Sequence, residues 1–348
     1  MITQQFQDVC RLLAGSAMAL AASMAGAQSL PQLNFVIVDN LGHLPMIVGA
    51  ERGIFREHGV DVKLSIVKSG TEIVNALNTK QMQGGNMSAT TFIKGRQGGQ
   101  QVSVFALAMN DATRANADDP LAIIARKDSG IRANDVKSLR GKRIGVWKDQ
   151  TPDEYLKIVL DRNGIKESEV EIVNIPSNPA LVPNLADAKV DAVVSLEPWN
   201  TLILSKVPGA FEVVRGGGYM SYMMVSTFQD DSMIRGNPDL VMRFARGLAA
   251  SSQYIRQNRD AAVDIFSKVV PGVDVDITRR AVRHISYDPR ISAENLKAFE
   301  STQDELIRLG SSTADKRLAL SSVVLTNTMR EVERRHPELF RDLKPVTY

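Results

Sequence analysis

The residues best suited to chemistry in this chain are small and polar, and they recur where apolar runs give way to helical patterns. Ser69-Gly70-Thr71-Glu72, Ser88-Ala89-Thr90 and Thr151-Pro152-Asp153-Glu154 each follow a β-rich run and open an amphipathic one. The first and third read as capping boxes, with an acid three residues after a hydroxyl. A helix N-terminus carries free N–H groups and a partial positive charge, so such turns suit a sulfonate, carboxylate, nitrate or phosphate. Asp39 to His43 and Glu197 to Trp199 are two more polar turns at strand ends. The candidate ligand contacts are Asn40, His43, Ser69, Gly70, Thr71, Ser88, Ala89, Thr90, Thr151, Glu197 and Trp199. The competing reading of each hydroxyl turn is a plain helix cap. Glu197 could take an amine or hydroxyl and Trp199 a carbon skeleton, the alternative being packing against Pro198. Arg114 could pair a carboxylate, although a lone arginine is more often solvated.

Catalytic chemistry finds little support. His43, His58, His284 and His336 have no metal-ligand spacing, and no G-x-S-x-G or phosphate-loop pattern is present. Gly216-Gly217-Gly218 reads as a flexible return segment. The single cysteine, Cys10, precedes an apolar, Ala-rich run from Leu12 to Ala25 that ends in Ala25-Gly26-Ala27. This is the pattern of a signal peptide cleaved after Ala27, and the run is short for a span of about 20 residues. The mature chain would then carry no cysteine, hence no disulfide or thiolate site. Its charge would stay at +3, because Asp8 and Arg11 leave together. With no dense basic run, a nucleic-acid partner is not expected.

The elements that must hold these turns alternate. The β-rich runs are 33–38, 60–64, 102–107, 121–125, 143–146, 170–173 and 191–195, with a short segment ending at Met87. Between them lie helical patterns from His43 to about Glu57, from Ser69, from Ser88, from Thr151, and from Asn178 to about Ala188. From about Met223 the pattern becomes mainly helical. The expected class is α/β, and 348 residues suit two lobes better than one core. In open sheets of this kind, ligands bind beyond the carboxyl ends of the strands. The segment 60–88 is weakly echoed by 170–195, as two similar lobes would require.

Several segments, in order, carry a family resemblance. These are Pro45 to Leu64 (PMIVGAERGIFREHGVDVKL), Ser69-Gly70-Thr71, Arg126 to Ile131, Leu139 to Val146 (LRGKRIGV), Val190 to Trp199 (VDAVVSLEPW) and Asn237 to Asn258. The chain resembles the nitrate/sulfonate/taurine-type periplasmic substrate-binding proteins of ABC importers, within the thiamine-precursor-synthase-like superfamily. The resemblance implies a two-lobed type II periplasmic binding fold, with mixed sheets flanked by helices and a ligand cleft between the lobes. Lobe one would comprise 28–115 and 222–348, and lobe two 116–221. It further implies an exported, periplasmic, monomeric receptor with no cofactor. That receptor would hand a small organic anion to the permease subunits of an importer by cleft closure. The alternatives are a receptor for a thiamine- or riboflavin-precursor heterocycle, which would want aromatic stacking, and a pyrimidine-precursor-synthase-like enzyme. A receptor that serves a membrane kinase is a third class. The chain departs from the family where Lys80 and Gln83 replace the usual Gly and Asp before the third strand. The second half keeps Asp191 but has Ala188. Lys148 to Pro152 replaces a Gly-Ser-Thr type of loop.

Overall fold

A computed structural model describes residues 29–109 and 118–348. The signal-peptide segment and Arg114 lie outside these residues. Gln32–Tyr348 forms one compact body, and everything below concerns it.

Ten strands form two five-stranded sheets among the described residues. The first sheet has the order β2-β1-β3-β10-β4, from β1 (Gln32–Val38), β2 (Asp61–Val67), β3 (Gly84–Ser88), β4 (Val102–Met109) and β10 (Met224–Gln229). The second has the order β7-β6-β8-β5-β9, from β5 (Leu121–Ala125), β6 (Arg143–Val146), β7 (Glu171–Asn174), β8 (Ala192–Leu196) and β9 (Phe211–Arg215). β1 runs parallel to β2 and β3, while β10 runs antiparallel to β3 and β4. In the second sheet β6 runs parallel to β7 and β8, and β5 antiparallel to β8 and β9. The two sheets therefore share one topology.

Strands covered on both faces read as continuous apolar runs. β4 (VSVFALAM) and β5 (LAIIA) are buried throughout. Gly84 at the start of β3 is required by close approach. A Cβ there would stand 2.5 Å from Phe228 Cδ1 and 2.6 Å from the carbonyl oxygen of Thr227. The long helix Pro238–Gln257 docks on the first sheet through aromatic rings. Phe244 stacks on Phe35 and Phe55 with centroids 5.1 and 4.8 Å apart, and Phe105 on Phe228 at 4.6 Å. The helix Ala293–Arg308 packs beside Ala89–Gln97, where Phe92 meets Phe299 edge-on.

Three expectations are corrected. The helical pattern from His43 to Glu57 is two helices, Leu44–Glu51 and Ile54–Glu57, because Gly53 turns left-handed at φ 72° between them. The stretch after Met223 opens with a central strand, β10, before the helices begin. Its six residues are nearly all buried, so they show neither a 2- nor a 3.6-residue period. The triglycine segment lies on the return from β9 to β10, and it is pinned. Gly216 to Gly218 all have positive φ, and the Asp118 carboxylate accepts the N–H groups of Gly218, Tyr219 and Met220 at 2.8–3.1 Å.

Candidate functional site

The strand ends of both sheets meet at a cavity of about 50 Å³. From the first sheet come Asn40 after β1, Ser69 and Gly70 after β2, and Ser88 at the end of β3. From the second come Trp147, Gln150 and Thr151 after β6, and Asn178 after β7. Tyr222 and Met224 reach it from the return segment and β10.

Each turn is fixed by its own backbone. Asn40 Oδ1 accepts from Gly42 N at 2.9 Å and closes the turn after β1. Ser69 Oγ caps the helix Gly70–Asn78 by accepting from Glu72 N at 3.2 Å. Glu72 reaches back to Lys68 N at 3.3 Å rather than to Ser69 N, so the expected box is only half closed. Ser88 Oγ caps Ala89–Gln97 through Thr91 N at 3.1 Å.

The expected capping box at Thr151 does not form. Gln150 is the cap position of the helix Thr151–Arg162, and Asp153 accepts from Asp149 N at 3.1 Å. The Thr151 hydroxyl is thereby left to face the other lobe. It lies 2.8 Å from Ser88 Oγ and 3.0 Å from Thr90 Oγ1, and Ser88 and Thr90 are themselves 2.8 Å apart. Gln150 makes a second crossing. Its Oε1 accepts from Gly70 N at 3.1 Å and its Nε2 donates to Thr71 Oγ1 at 3.3 Å. The amide oxygen of Gln150 thus sits on a helix N-terminal N–H where an anion's oxygen would sit.

The electrostatics are one-sided. Among the described residues, Lys68 is the cationic residue of the lining and no carboxylate contributes to it. Four helices begin there: Gly70–Asn78, Ala89–Gln97, Thr151–Arg162 and Asn178–Ala186. The lining also has apolar members, among them Trp147, Leu196, Met87 and Met224. Burial pushes the Tyr222 hydroxyl above its ordinary value, so it remains a neutral phenol. Asp39, beside Asn40 but outside the lining, is pushed up to about 6 by burial against a hydrogen bond from its own backbone.

Five of the expected residues line the cavity: Asn40, Ser69, Gly70, Ser88 and Thr151. Thr90 and Thr71 stand behind it, bonded to Thr151 and Gln150. Both also line a neighbouring concavity of about 330 Å³. The N–H of Ala89 is spent on Met223 O at 3.0 Å. His43 is fully buried, with no partner for either ring nitrogen among the described residues, and burial lowers its pKa to about 3. Glu197 is committed to the protein: Arg215 Nη1 donates to it at 2.8 Å, and Thr201 donates through its hydroxyl at 3.0 Å and its N–H at 3.2 Å. Trp199 is buried in the core, its indole N–H without a partner among the described residues. Neither of these last two lines the cavity. Sequence reasoning missed Trp147, Gln150, Asn178 and Tyr222. Trp147 follows directly on β6, and Asn178 opens a helix after β7. Those positions were the available signal.

Two like sheets with a polar cavity at their strand ends define the two-lobed periplasmic binding fold. The chain belongs to the NMT1/THI5-like family, whose model matches residues 40–262. The periplasmic aliphatic sulphonate binding protein SsuA of Escherichia coli is similar in structure. Its TM-score is 0.72 at 14% identity, over 86% of this chain and 99% of that one. The periplasmic nitrate-binding protein NrtA of Synechocystis PCC 6803 aligns with a TM-score of 0.71 at 13% identity, over 89% and 90%. A Brucella abortus (strain 2308) chain, provisionally named a binding protein, is 22% identical over 255 residues, 72% of this chain and 75% of its own length. The fold is thus that of binding proteins from sulfonate and nitrate import systems. No helix among the described residues is long and apolar enough to cross a membrane.

Proposed function

We propose that this chain is an exported, monomeric receptor that captures a small organic anion in the cleft and presents it to the permease of an ABC importer. Lobe one would comprise 28–115 and 222–348, and lobe two 116–221, with the signal peptide removed after Ala27. The observation that carries the ligand class is the lining: among the described residues, four helix starts, one lysine and no carboxylate gather around the cavity. At about 10–15 Å³ per water, 50 Å³ holds a few waters or one oxyanion head group. A carbon tail would have to part Thr151 from Ser88 and Gln150 from Gly70. Hinge motion would supply that separation, and reclosure would restore the inter-lobe ion pairs of Lys94 with Glu154 (2.8 Å) and Arg308 with Asp161 (2.6 Å).

Trp147 and Tyr222, with the apolar side chains of the lining, favour a tail with an aromatic or branched carbon skeleton. The same side chains support the second reading, a neutral vitamin-precursor heterocycle stacked on Trp147. An enzymatic role has less support, since among the described residues the ionisable side chains of the lining are Lys68 and Tyr222, and neither is bonded to a histidine or carboxylate.

Thermal unfolding of the mature protein against nitrate, aliphatic and aromatic sulfonates, carboxylates and vitamin precursors tests the reading. A ligand at 100 times its Kd should stabilise by about 2.7 kcal/mol. A shift with a sulfonate or carboxylate is expected. A shift with a neutral heterocycle alone would replace the anion reading by the second one.

A further inference from the structure

We propose a second ligand site on the far side of the first lobe, where His58, Arg243, Arg246, Arg335 and His336 converge to bind a small multivalent oxyanion of the phosphate class. The residues line a concavity of about 420 Å³ that shares no lining residue with the cleft. Three stretches distant in sequence build it: the end of the helix Ile54–Glu57, the long helix Pro238–Gln257, and the end of the helix Asn327–Arg335.

Arg246 is the group that points to a ligand. It makes no hydrogen bond or ion pair among the described residues, and its Nε is buried without a partner. Its two terminal Nη groups, which no hydrogen bond among the described residues occupies, remain available for a bidentate oxyanion. The neighbouring cations are already oriented. Arg243, one turn before Arg246, is held by Asp239. Arg335 is held at 2.5 Å by Glu331, which lies outside the lining, and His336 by Glu338 at 3.3 Å. Gly59 (φ 82°) lets the chain turn tightly against Arg243, whose Cδ would be 3.4 Å from a Cβ at that position.

Glu57 and Asp239 also line the concavity, and with Asp239 on Arg243 and Glu331 on Arg335, Arg246 is the lining arginine left without a carboxylate among the described residues. That balance favours a compact anion held by Arg246 over a long acidic chain. Burial, then the charge of Arg246, lowers the pKa of His58, which places the imidazole within the field of that guanidinium.

Isothermal titration of the mature protein with inorganic pyrophosphate at physiological salt tests the site. One saturable site is expected. Arg246→Gln and Arg335→Glu should each weaken it at least tenfold, the second by a change on an exposed side chain that does not endanger folding. Lys297→Gln, at an exposed position elsewhere, and Thr151→Val, in the cleft, should leave it unchanged. Absence of saturable binding would overturn the proposal. So would equal affinity in Arg246→Gln, or a loss in Thr151→Val that matches the loss in Arg246→Gln.

Discussion

In the first sheet, Asn34 near the start of β1 gives its N–H to the Gln83 side chain at 2.8 Å while Gln83 N returns a bond to Asn34 O at 3.0 Å. In the second sheet, β6 begins at Arg143, and Asp191 repeats both bonds at 3.0 and 2.8 Å. The residues just upstream match as well. Lys80 and Ala188 follow the helices Gly70–Asn78 and Asn178–Ala186, and both are left-handed, at φ 59° and 54°. Two departures from the family pattern, the missing glycine and the Gln for Asp, thus fall on positions whose geometry is retained. What differs is charge. Gln83 is neutral, whereas Asp191 also binds Arg126 at 2.7 Å and Arg143 at 3.0 Å. The lobes diverge again after their third strands. Ser88 presents a hydroxyl to the cleft, whereas Glu197 turns inward to Arg215. One scaffold is kept twice, and the ligand-facing chemistry is distributed unequally over it.

The largest effect should come from removing the charged member of the pair. Asp191→Ala leaves two partly buried arginines and a strand N–H unpaired, for an expected loss of about 3 kcal/mol in denaturant unfolding. Gln83→Ala deletes one neutral bond and should cost about 1 kcal/mol. Equal losses would break the comparison.

pH separates the two pairs further. Burial raises the Asp191 pKa, but the hydrogen bonds from Arg143 and Arg126 outweigh it and hold the carboxyl at about 2, below the ordinary value of about 3.9. A depressed carboxylate stabilises the fold above its unfolded pKa, and that contribution is lost as pH falls through the folded one. The stability gap between wild type and Asp191→Asn should therefore be full at pH 6 and shrink between about pH 4 and 2. The gap for Gln83→Ala should not follow this course.

The smallest effects are gains. Relief of left-handed strain is worth about 1–2 kcal/mol per residue, reduced by the added freedom of an unfolded glycine. Lys80→Gly and Ala188→Gly should each stabilise by about 0.5–1 kcal/mol and add in combination, since they sit in different lobes. A loss at either position would show that its side chain does something other than strain the turn.

Most strands were legible because apolar runs between turn signals are strong local patterns. β5 and β6 fall at the residues expected for them. β9 and β10 escaped, being short return strands whose partners are distant in sequence. That gap explains the reading of Glu197 as a free carboxylate, since its partner Arg215 lies on the unassigned β9. The hydroxyl turns were found by their capping pattern, but which hydroxyl is spent as a cap is decided in space. Ser69 caps its own helix and Thr151 does not. Tyr222 had no signal at all, because it reaches the cavity only through the fold of the return segment.

The central claim is that one ligand is gripped by matching turns of both lobes, and titration calorimetry of the best anion from the thermal panel tests it most directly. Ser88→Ala removes a hydroxyl from the first lobe and Thr151→Val one from the second. A hydrogen bond to a charged group is worth about 1.5–3 kcal/mol, so each variant should bind roughly 10- to 100-fold more weakly with one ligand per chain. Unchanged affinity in either variant would contradict a cleft shared by the two lobes.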